Sequence, residues 1–295
     1  MIEIKSQVPL APLTSWLVGG PAEFLCFPRS IEEVQEAQAW AQQKKVPMTI
    51  LGGGSNVLIS DQGIKGLVMA LKNFVGTSIA EAKDRLQITA LAGTSKSELL
   101  KIFLKCKLPP ALFLAGLPGD VGGGIVMNAG VAEAFQPREF VEITDWIEVL
   151  KPDGQIQKYQ NRDLQWSYRH SHGWQPGIIL RAGLSWSLQV DATILEQVKQ
   201  ANKVRLSKQP LDLPSCGSVF VNPLPHKAAQ LIDSCGLKGF SIGGAQVSLK
   251  HANFIVNAGE ARATDILQVI KHVQETVKTQ KNISLQTEVV RLGFD

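Results

Sequence analysis

The chain has little cysteine, little net charge and no long apolar run, and each shortage removes a class of protein. Its four cysteines, Cys26, Cys106, Cys216 and Cys235, stand far apart and form no CxxC pair. Neither a disulfide framework nor a zinc site is expected from that spacing. His170 and His172 are close together, but no carboxylate or cysteine stands beside them at ligand spacing, so solvent-facing loop histidines and no metal are expected. The net charge is only +4, from 30 basic and 26 acidic residues dispersed along the chain. That argues against a nucleic-acid partner and is met equally well by a mildly basic pocket for an anionic small molecule. The apolar runs fall short of the ~20 residues of a membrane helix, so no membrane insertion is expected. The N-terminal MIEIKSQVPLAPLTSW has no apolar signal region, and the chain reads as cytosolic. No internal repeat or low-complexity segment is found.

What is present is ample apolar material and clustered glycine. At 295 residues, 44% hydrophobic and 19% charged, the chain can bury a large core in one large domain or two to three smaller ones. Gly19-Gly20-Pro21 predicts a turn and Ala22 to Phe27 a strand. Ser30 with Glu33, and Ser95 with Glu98, are capping boxes that open helices with apolar stripes at Val34, Ala37 and Ala41 and at Leu99, Ile102, Phe103 and Cys106. Pro109-Pro110 is expected to stop the second of these. Strands are predicted at Met48–Leu51, Val57–Ile59, Leu67–Leu71, Leu86–Ala92 and Ile178–Leu188, and residues 131–140 read as a loop. Pro152-Asp153-Gly154 is a hairpin turn between Asp145–Leu150 and Gln155–Tyr159. Beyond a boundary near 190, Thr193 and Glu196 open a helix reaching Lys208. Ala228, Leu231 and Ile232 mark a short helix, and Gly239–Gly244 a loop. Strands follow at Ala245–Leu249 and Asn253–Asn257. Thr264 is expected to cap a helix with Ile266, Ile270, Val273 and Val277 on one face, and Leu285–Leu292 to form the last strand.

Two glycine stretches and two polar intrusions carry the chemistry. Gly52-Gly53-Gly54-Ser55-Asn56 follows a strand, so its backbone can approach a ligand and its N–H groups can form an anion nest. It is not a Walker A loop, because no Gly-Lys-Ser/Thr follows, nor a Rossmann fingerprint, because the G-x-G-x-x-G spacing is absent. A plain glycine-rich turn is the competing reading. Roughly 65 residues on stands Ala115-Gly116-Leu117-Pro118-Gly119-Asp120-Val121-Gly122-Gly123-Gly124, and the pair points to one extended phosphate-bearing ligand held between two units. The run Pro214–Pro223 has the composition of a strand. With period two it puts Ser218, Phe220 and Asn222 on one face and Val219 and Val221 on the other, and a Gly-Ser turn leading into an edge strand is the plainer alternative. Glu288 shares a face with Val290 and Leu292, which is costly for a carboxylate unless it is paired, protonated or at a strand edge.

Taken together these motifs resemble the bacterial UDP-N-acetylenolpyruvoylglucosamine reductases. The matching stretches are Gly19-Gly20-Pro21-Ala22, LGGGSNVL at 51–58, AGLPGDVGG at 115–123, MNAG at 127–130, Tyr168-Arg169, SKQP at 207–210, CGSVF at 216–220, GGAQVSLKHANFIVN at 243–257 and Glu288. They stand in family order over nearly the whole chain, with the wording of the shorter subclass that lacks an inserted substrate-covering loop. The resemblance implies an α+β fold: a two-unit FAD-binding fold of the vanillyl-alcohol-oxidase/PCMH type (residues 1–75 and 76–190) plus a C-terminal α+β substrate-binding domain (191–295), whose last strand, 285–295, returns to the flavin. It implies non-covalent FAD with its pyrophosphate on Gly52, Gly53, Gly54, Ser55 and Asn56 and on Gly116, Pro118, Gly119, Gly122 and Gly123. NADPH would deliver a hydride to the flavin, and the enolpyruvyl ether of a UDP-sugar would then take it at its methylene carbon. Ser218 would protonate the adjacent carbon, Arg169 would neutralise developing charge, and Glu288 would stabilise or supply protons to the intermediate. Lys208, Asn222, Tyr168 and His251 would contact the nucleotide-sugar substrate, and the enzyme is expected to be a cytoplasmic monomer.

The chain departs from the family at two places. Val221 stands where many relatives carry Lys or Arg, and Asp120 where Thr or Ser is usual. An acidic side chain beside a pyrophosphate is unfavourable unless it points away. Two other readings remain. An FAD oxidase of the same fold would often tether flavin through His or Cys, and neither glycine loop carries one. A non-catalytic flavin-binding paralogue would be expected to lose Ser218, Arg169 or Glu288, and all three are present.

Overall fold

The fold is taken from a computed structural model that describes residues 2–82, 84–131 and 135–294. In chain order the elements are β1 (Lys5–Pro9), β2 (Pro21–Cys26), α1 (Ile31–Lys44), β3 (Met48–Leu51), β4 (Val57–Ile59), β5 (Ile64–Ala70), β6 (Thr77–Ala82), β7 (Arg85–Leu91), α2 (Lys96–Lys105), α3 (Pro110–Leu114) and α4 (Val121–Val126). Then come β8 (Thr144–Leu150), β9 (Ile156–Gln160), β10 (Gln165–Ser167), β11 (His170–His172), β12 (Ile178–Ser187), α5 (Ile194–Lys208), α6 (Ala228–Ser234), β13 (Ser241–Ile242), β14 (Ala245–Val247), β15 (Ile255–Asn257), α7 (Ala263–Lys281) and β16 (Val290–Leu292).

The chain divides into two compact units that do not follow contiguous ranges. Unit 1 holds Met1–Ile4, Leu25–Gly53 and Val68–Val204, and unit 2 holds Lys5–Phe24, Gly54–Leu67 and Arg205–Asp295. A four-stranded sheet has the order β1, β2, β5, β3.

Unit 1 is built on an antiparallel five-stranded sheet of order β6, β7, β12, β8, β9. β7 reads exposed–buried along its length, the alternation of a strand with one face on a core. The Pro152-Asp153-Gly154 turn joins β8 to β9 as expected, with Gly154 at φ 84° and its N–H on the Lys151 carbonyl at 3.0 Å. Both capping serines act: Ser30 Oγ accepts from Glu33 N at 3.3 Å and Ser95 Oγ from Glu98 N at 3.2 Å. Phe113 and Phe140 meet edge to face at 5.9 Å.

Unit 2 wraps α7 against the antiparallel sheet β13–β14–β15, and β16 lies parallel to β4. Ile266, Val269, Ile270, Val273 and Val277 recur at helical spacing and are all buried. Each such side chain contributes about 1.5–3 kcal/mol of apolar burial. Trp16 is fully buried among them, and its indole N–H donates to the Ile255 carbonyl at 2.7 Å.

Several elements differ from expectation. α2 ends at Lys105, ahead of Pro109-Pro110 as expected, but Pro110 then opens a further short helix, α3, since proline suits a first helical turn whose N–H is unpartnered anyway. The glycines after Asp120, read as part of a glycine-rich loop, form helix α4. Thr264 does not cap α7. Arg262 is its N-cap, and the Asp61 carboxylate accepts from Ala263 N at 2.8 Å and Thr264 N at 2.9 Å. The Gly239–Gly244 loop contains β13, and β6 has no counterpart in the sequence reading. The expected strands at 285–292, 245–249 and 253–257 shorten to β16, β14 and β15, and the strand at 67–71 instead begins at Ile64. Of the 131–140 loop, residues 132–134 lie outside the described residues, and the stretch ends in a 3-10 turn at Phe140–Glu142. Among the described residues no helix is long and apolar enough to cross a membrane.

Candidate active site

In unit 1 the two glycine stretches meet. A Cβ added at Gly52 would fall 2.4 Å from Asp120 Oδ2, and one at Gly53 would fall 2.8 Å from the Gly119 Cα. Only glycine permits that approach. Asp120 is the N-cap of α4, with its Oδ1 accepting from Gly123 N at 2.7 Å and its carboxylate also taking the Gly53 N–H. Gly122 N donates to the Ala92 carbonyl at 2.7 Å. These donors are engaged within the protein, so Gly53, Gly122 and Gly123 offer a ligand close approach rather than N–H groups. Burial pushes the Asp120 carboxyl above its ordinary range, against the pull of the Gly123 N–H, Lys96 and the Gly53 N–H. A cavity of about 670 Å³ opens beside this contact, lined by Gly53, Gly119, Asp120, Gly93, Thr94 and Ser95. Its size and its two glycine walls fit part of a cofactor bearing phosphates.

Unit 1 also fixes Arg169. β10 and β11 pair with Ser167 opposite His170, so Tyr168 and Arg169 form the tip of a two-residue hairpin, and Arg169 takes φ 57°. The Arg169 guanidinium donates to the Gly130 carbonyl at 2.9 Å, pairs with the Glu139 carboxylate at 3.8 Å and lies over the Tyr168 ring at 4.7 Å. Asn128, buried and at φ 37°, ties the arrangement together. Its amide donates to Glu139 Oε2 and to the Ser167 carbonyl, both at 3.1 Å. The guanidinium is thereby held in one orientation.

In unit 2 the expected strand around Ser218 is not a regular strand. It is an extended segment bonded on both sides. Val219 N donates to the Asn253 carbonyl at 2.9 Å, while Glu288 N donates to the Val219 carbonyl at 2.8 Å and Val221 N to the Gln286 carbonyl at 2.9 Å. Phe220 faces Thr287 in an antiparallel bridge. Ser218 and Glu288 thus ride on two directly bonded segments. Gly217 at φ 87° turns the chain into the run, a conformation glycine adopts without strain. The period-two faces do not survive: Val219 and Phe220 are both buried. Cys216 is buried close by, and burial, with the Glu288 charge, raises its thiol well above the ordinary range. The Asn56 amide donates to the Glu288 carbonyl at 3.0 Å, and Val290 N donates to the Asn56 carbonyl at 3.1 Å. Asn56 therefore positions the Glu288 segment. Gly54 is at φ 63°, and its carbonyl accepts from Ser15 N at 3.0 Å.

The remaining expected substrate contacts are scattered. Asn222 Oδ1 accepts from Ala228 N at 2.9 Å and so completes the start of α6. His251 is half-buried, its Nδ1 3.3 Å from Asn253 N, and burial lowers its imidazole. Lys208 is exposed at the end of α5, and Tyr168 is exposed beside Arg169. Among the described residues no cluster of three or more His, Cys, Asp or Glu could hold a metal ion.

Four residues went unread in the sequence. Lys96 sits three and seven positions before Leu99 and Phe103, on the buried stripe of α2, and that periodicity was its signal. Asn253 opens an apolar run, Phe254 to Val256. Glu139 meets Arg169, and Asn128 meets Glu139, only through tertiary structure, and nothing local marks Glu139.

Comparison with known proteins gives the class first. The FAD binding domain family matches residues 22–160, over the part of the chain that holds both glycine stretches. That makes this a flavoprotein-type chain. The C-terminal domain family of UDP-N-acetylenolpyruvoylglucosamine reductase matches residues 209–292, which include Ser218 and Glu288. The chain is 41% identical to the UDP-N-acetylenolpyruvoylglucosamine reductase of Limosilactobacillus fermentum, over 99% of this chain and 95% of the relative. It is 40% identical to that of Listeria welshimeri, over 100% and 97%. The crystal structure of the reductase from Thermus caldophilus superposes with TM-score 0.81 at 31% identity, covering 99% of this chain and 100% of that one. The chain belongs to the UDP-N-acetylenolpyruvoylglucosamine reductase family.

Proposed function

We propose that this protein reduces the enolpyruvyl group of UDP-N-acetylenolpyruvoylglucosamine to give UDP-N-acetylmuramate for peptidoglycan synthesis, using FAD and NADPH. The observation that carries the reading is the 2.8 Å bond from Glu288 N to the Val219 carbonyl, which couples the Ser218 segment to the Glu288 segment inside the part of the chain matched by the family's C-terminal domain.

FAD, when bound, supplies a ring that accepts hydride from NADPH and passes it on. Gly52, Gly53, Gly54, Ser55, Asn56, Gly116, Pro118, Gly119, Gly122 and Gly123 would hold it. Ser218 gives its proton to the substrate carbon next to the one that takes hydride. A serine hydroxyl is a poor acid in water, but a carbanion conjugated to a carboxylate is a strong base, and a dry site lets the transfer proceed. Arg169, held by Gly130 and Glu139, stabilises the negative charge that develops on the substrate. Glu288 stabilises the same intermediate. Lys208, Asn222, Tyr168 and His251 contact the nucleotide sugar, and the enzyme works as a monomer in the cytoplasm. The functional division is two FAD-binding units, 1–75 and 76–190, and a substrate-binding domain, 191–295, whose last strand returns to the flavin.

The test is anaerobic reduction of the flavin by NADPH, followed by substrate or oxygen. Reoxidation by substrate within seconds is expected. Rapid reoxidation by oxygen alone makes the protein an oxidase, and a colourless protein that takes up no FAD overturns both. Ser218→Ala is expected to leave reduction by NADPH unchanged and to slow reoxidation by substrate about 10²- to 10⁴-fold. Equal slowing of both half-reactions makes Ser218 structural.

A further inference from the structure

The glycine contact of unit 1 contains charge that the proposed reaction does not use. Asp120 is 5% exposed and Lys96 4% exposed. Both belong to the junction of the two stretches. Lys96 is the first residue of α2, its N–H donates to the Gly119 carbonyl at 3.0 Å, and its Nζ donates to the Pro118 carbonyl at 2.9 Å. Its ammonium also lies 5.5 Å from the centre of the Phe140 ring. Asp120 accepts N–H groups from Gly53 in the first stretch and Gly123 in the second, and lines the cavity beside them. A lone carboxylate at that wall would repel a pyrophosphate.

We propose that Lys96 and Asp120 are a positioning pair, in which Asp120 clamps the two glycine stretches together and Lys96 supplies the buried cation that lets a pyrophosphate bind beside that carboxylate. The inference rests on the FAD reading above. The charged groups facing Lys96 are Asp120 at the start of α4, which favours its charged form, and Arg169 on the β10–β11 hairpin, which opposes it. Glu139 stands behind Arg169 as its partner. Burial is the largest influence and brings the Lys96 ammonium down to about 8. The Lys96 ammonium therefore loses its charge as pH rises through about 8. The two pH effects have opposite signs. Lys96 binds a proton more weakly folded than unfolded, so its own contribution to folding stability rises with pH between about 8 and the ordinary lysine value of 10.5. FAD affinity instead falls as pH climbs through the same point, because an adjacent anion favours the charged lysine.

The experiment titrates FAD into flavin-free full-length protein between about pH 6.5 and pH 9.5, following the quench of flavin fluorescence. The wild-type Kd is expected to rise above about pH 8, approaching tenfold per pH unit. Lys96→Met is expected to bind FAD about 10- to 100-fold more weakly at pH 7. Adding Asp120→Asn to Lys96→Met, which removes the anion but keeps one oxygen for the clamp, is expected to recover part of the affinity lost in Lys96→Met and leave a flat profile, a rescue that a packing role for Lys96 does not produce. A flat wild-type profile overturns the pair, as does a Lys96→Met protein that binds like wild type or a double variant that stays weak. If Lys96→Met does not fold, the wild-type profile decides alone. Failure of wild type to bind FAD at any pH removes the pair and the flavin reading together, whereas tight but pH-independent binding removes only the pair.

Discussion

Asn253 is the side chain whose removal tests the architecture around Ser218 most directly. It is 4% exposed. Its Oδ1 accepts from Phe220 N at 2.9 Å, and its Nδ2 donates to the Phe220 carbonyl at 2.8 Å. One amide thus satisfies both polar groups of a residue that is itself only 2% exposed. Asn253→Ala deletes both bonds and leaves a buried N–H and a buried carbonyl without their partner. Each lost bond costs about 0.5–1.5 kcal/mol, with more where the group stays unsatisfied, so the pair amounts to about 2–4 kcal/mol. The loss is local, and amide hydrogen exchange at Phe220 reads it at the site. At about 1.4 kcal/mol per tenfold, exchange of the Phe220 amide is expected to quicken roughly 30- to 700-fold. Asn253→Leu, which fills the volume, should quicken exchange nearly as much, since hydrogen bonding rather than packing is lost. Asn253→Asp keeps the acceptor but sets a carboxylate against the Phe220 carbonyl, so it should be at least as damaging at pH 7. Exchange in Asn253→Ala within about threefold of wild type would refute the reasoning.

Gly54→Ala should destabilise unit 2 by more than about 2 kcal/mol in urea unfolding, because glycine's φ of 63° costs alanine about 1 kcal/mol. The new Cβ would also stand 1.9 Å from the Leu13 carbonyl oxygen, so the backbone must shift. Asp61→Ala removes the acceptor at the start of α7 and is expected to cost about 0.5–2 kcal/mol. Burial works against the Asp61 charge, but the Thr264 hydroxyl and the N–H groups of Thr264 and Ala263 hold its carboxyl below the ordinary 3.8. The cap is therefore fully present above that value and is lost as pH falls further. An acid titration of stability in which wild type and Asp61→Ala differ equally at pH 7 and pH 2 would contradict it.

Local rules made much of this protein legible. The serine caps of α1 and α2, the hairpin turn at Gly154 and the buried stripe of α7 depend on residues a few positions apart, and period and capping chemistry fix them without the rest of the chain. The glycine stretches were legible as places of close approach, for the same reason. Ser218, Arg169 and Glu288 were proposed through the order of motifs along the chain, and the structure sets Ser218 and Glu288 on two bonded segments. What period two could not show is how many rungs of a strand find a partner. The run around Ser218 and the tail from Leu285 to Leu292 have strand composition, yet their hydrogen bonds go to Asn253, to each other and to β4 in short pieces. α3 was not foreseen and the start of α7 was misplaced, because their first turns are set by Pro110 and by Asp61, a residue roughly 200 positions away. Tertiary structure alone decided the use of charge. Asp120 in isolation is an unwelcome anion in a glycine loop expected to face a pyrophosphate. Folded, it is a buried clamp answered by Lys96, because burial strengthens electrostatics and only the packed chain brings the two side chains out of water together.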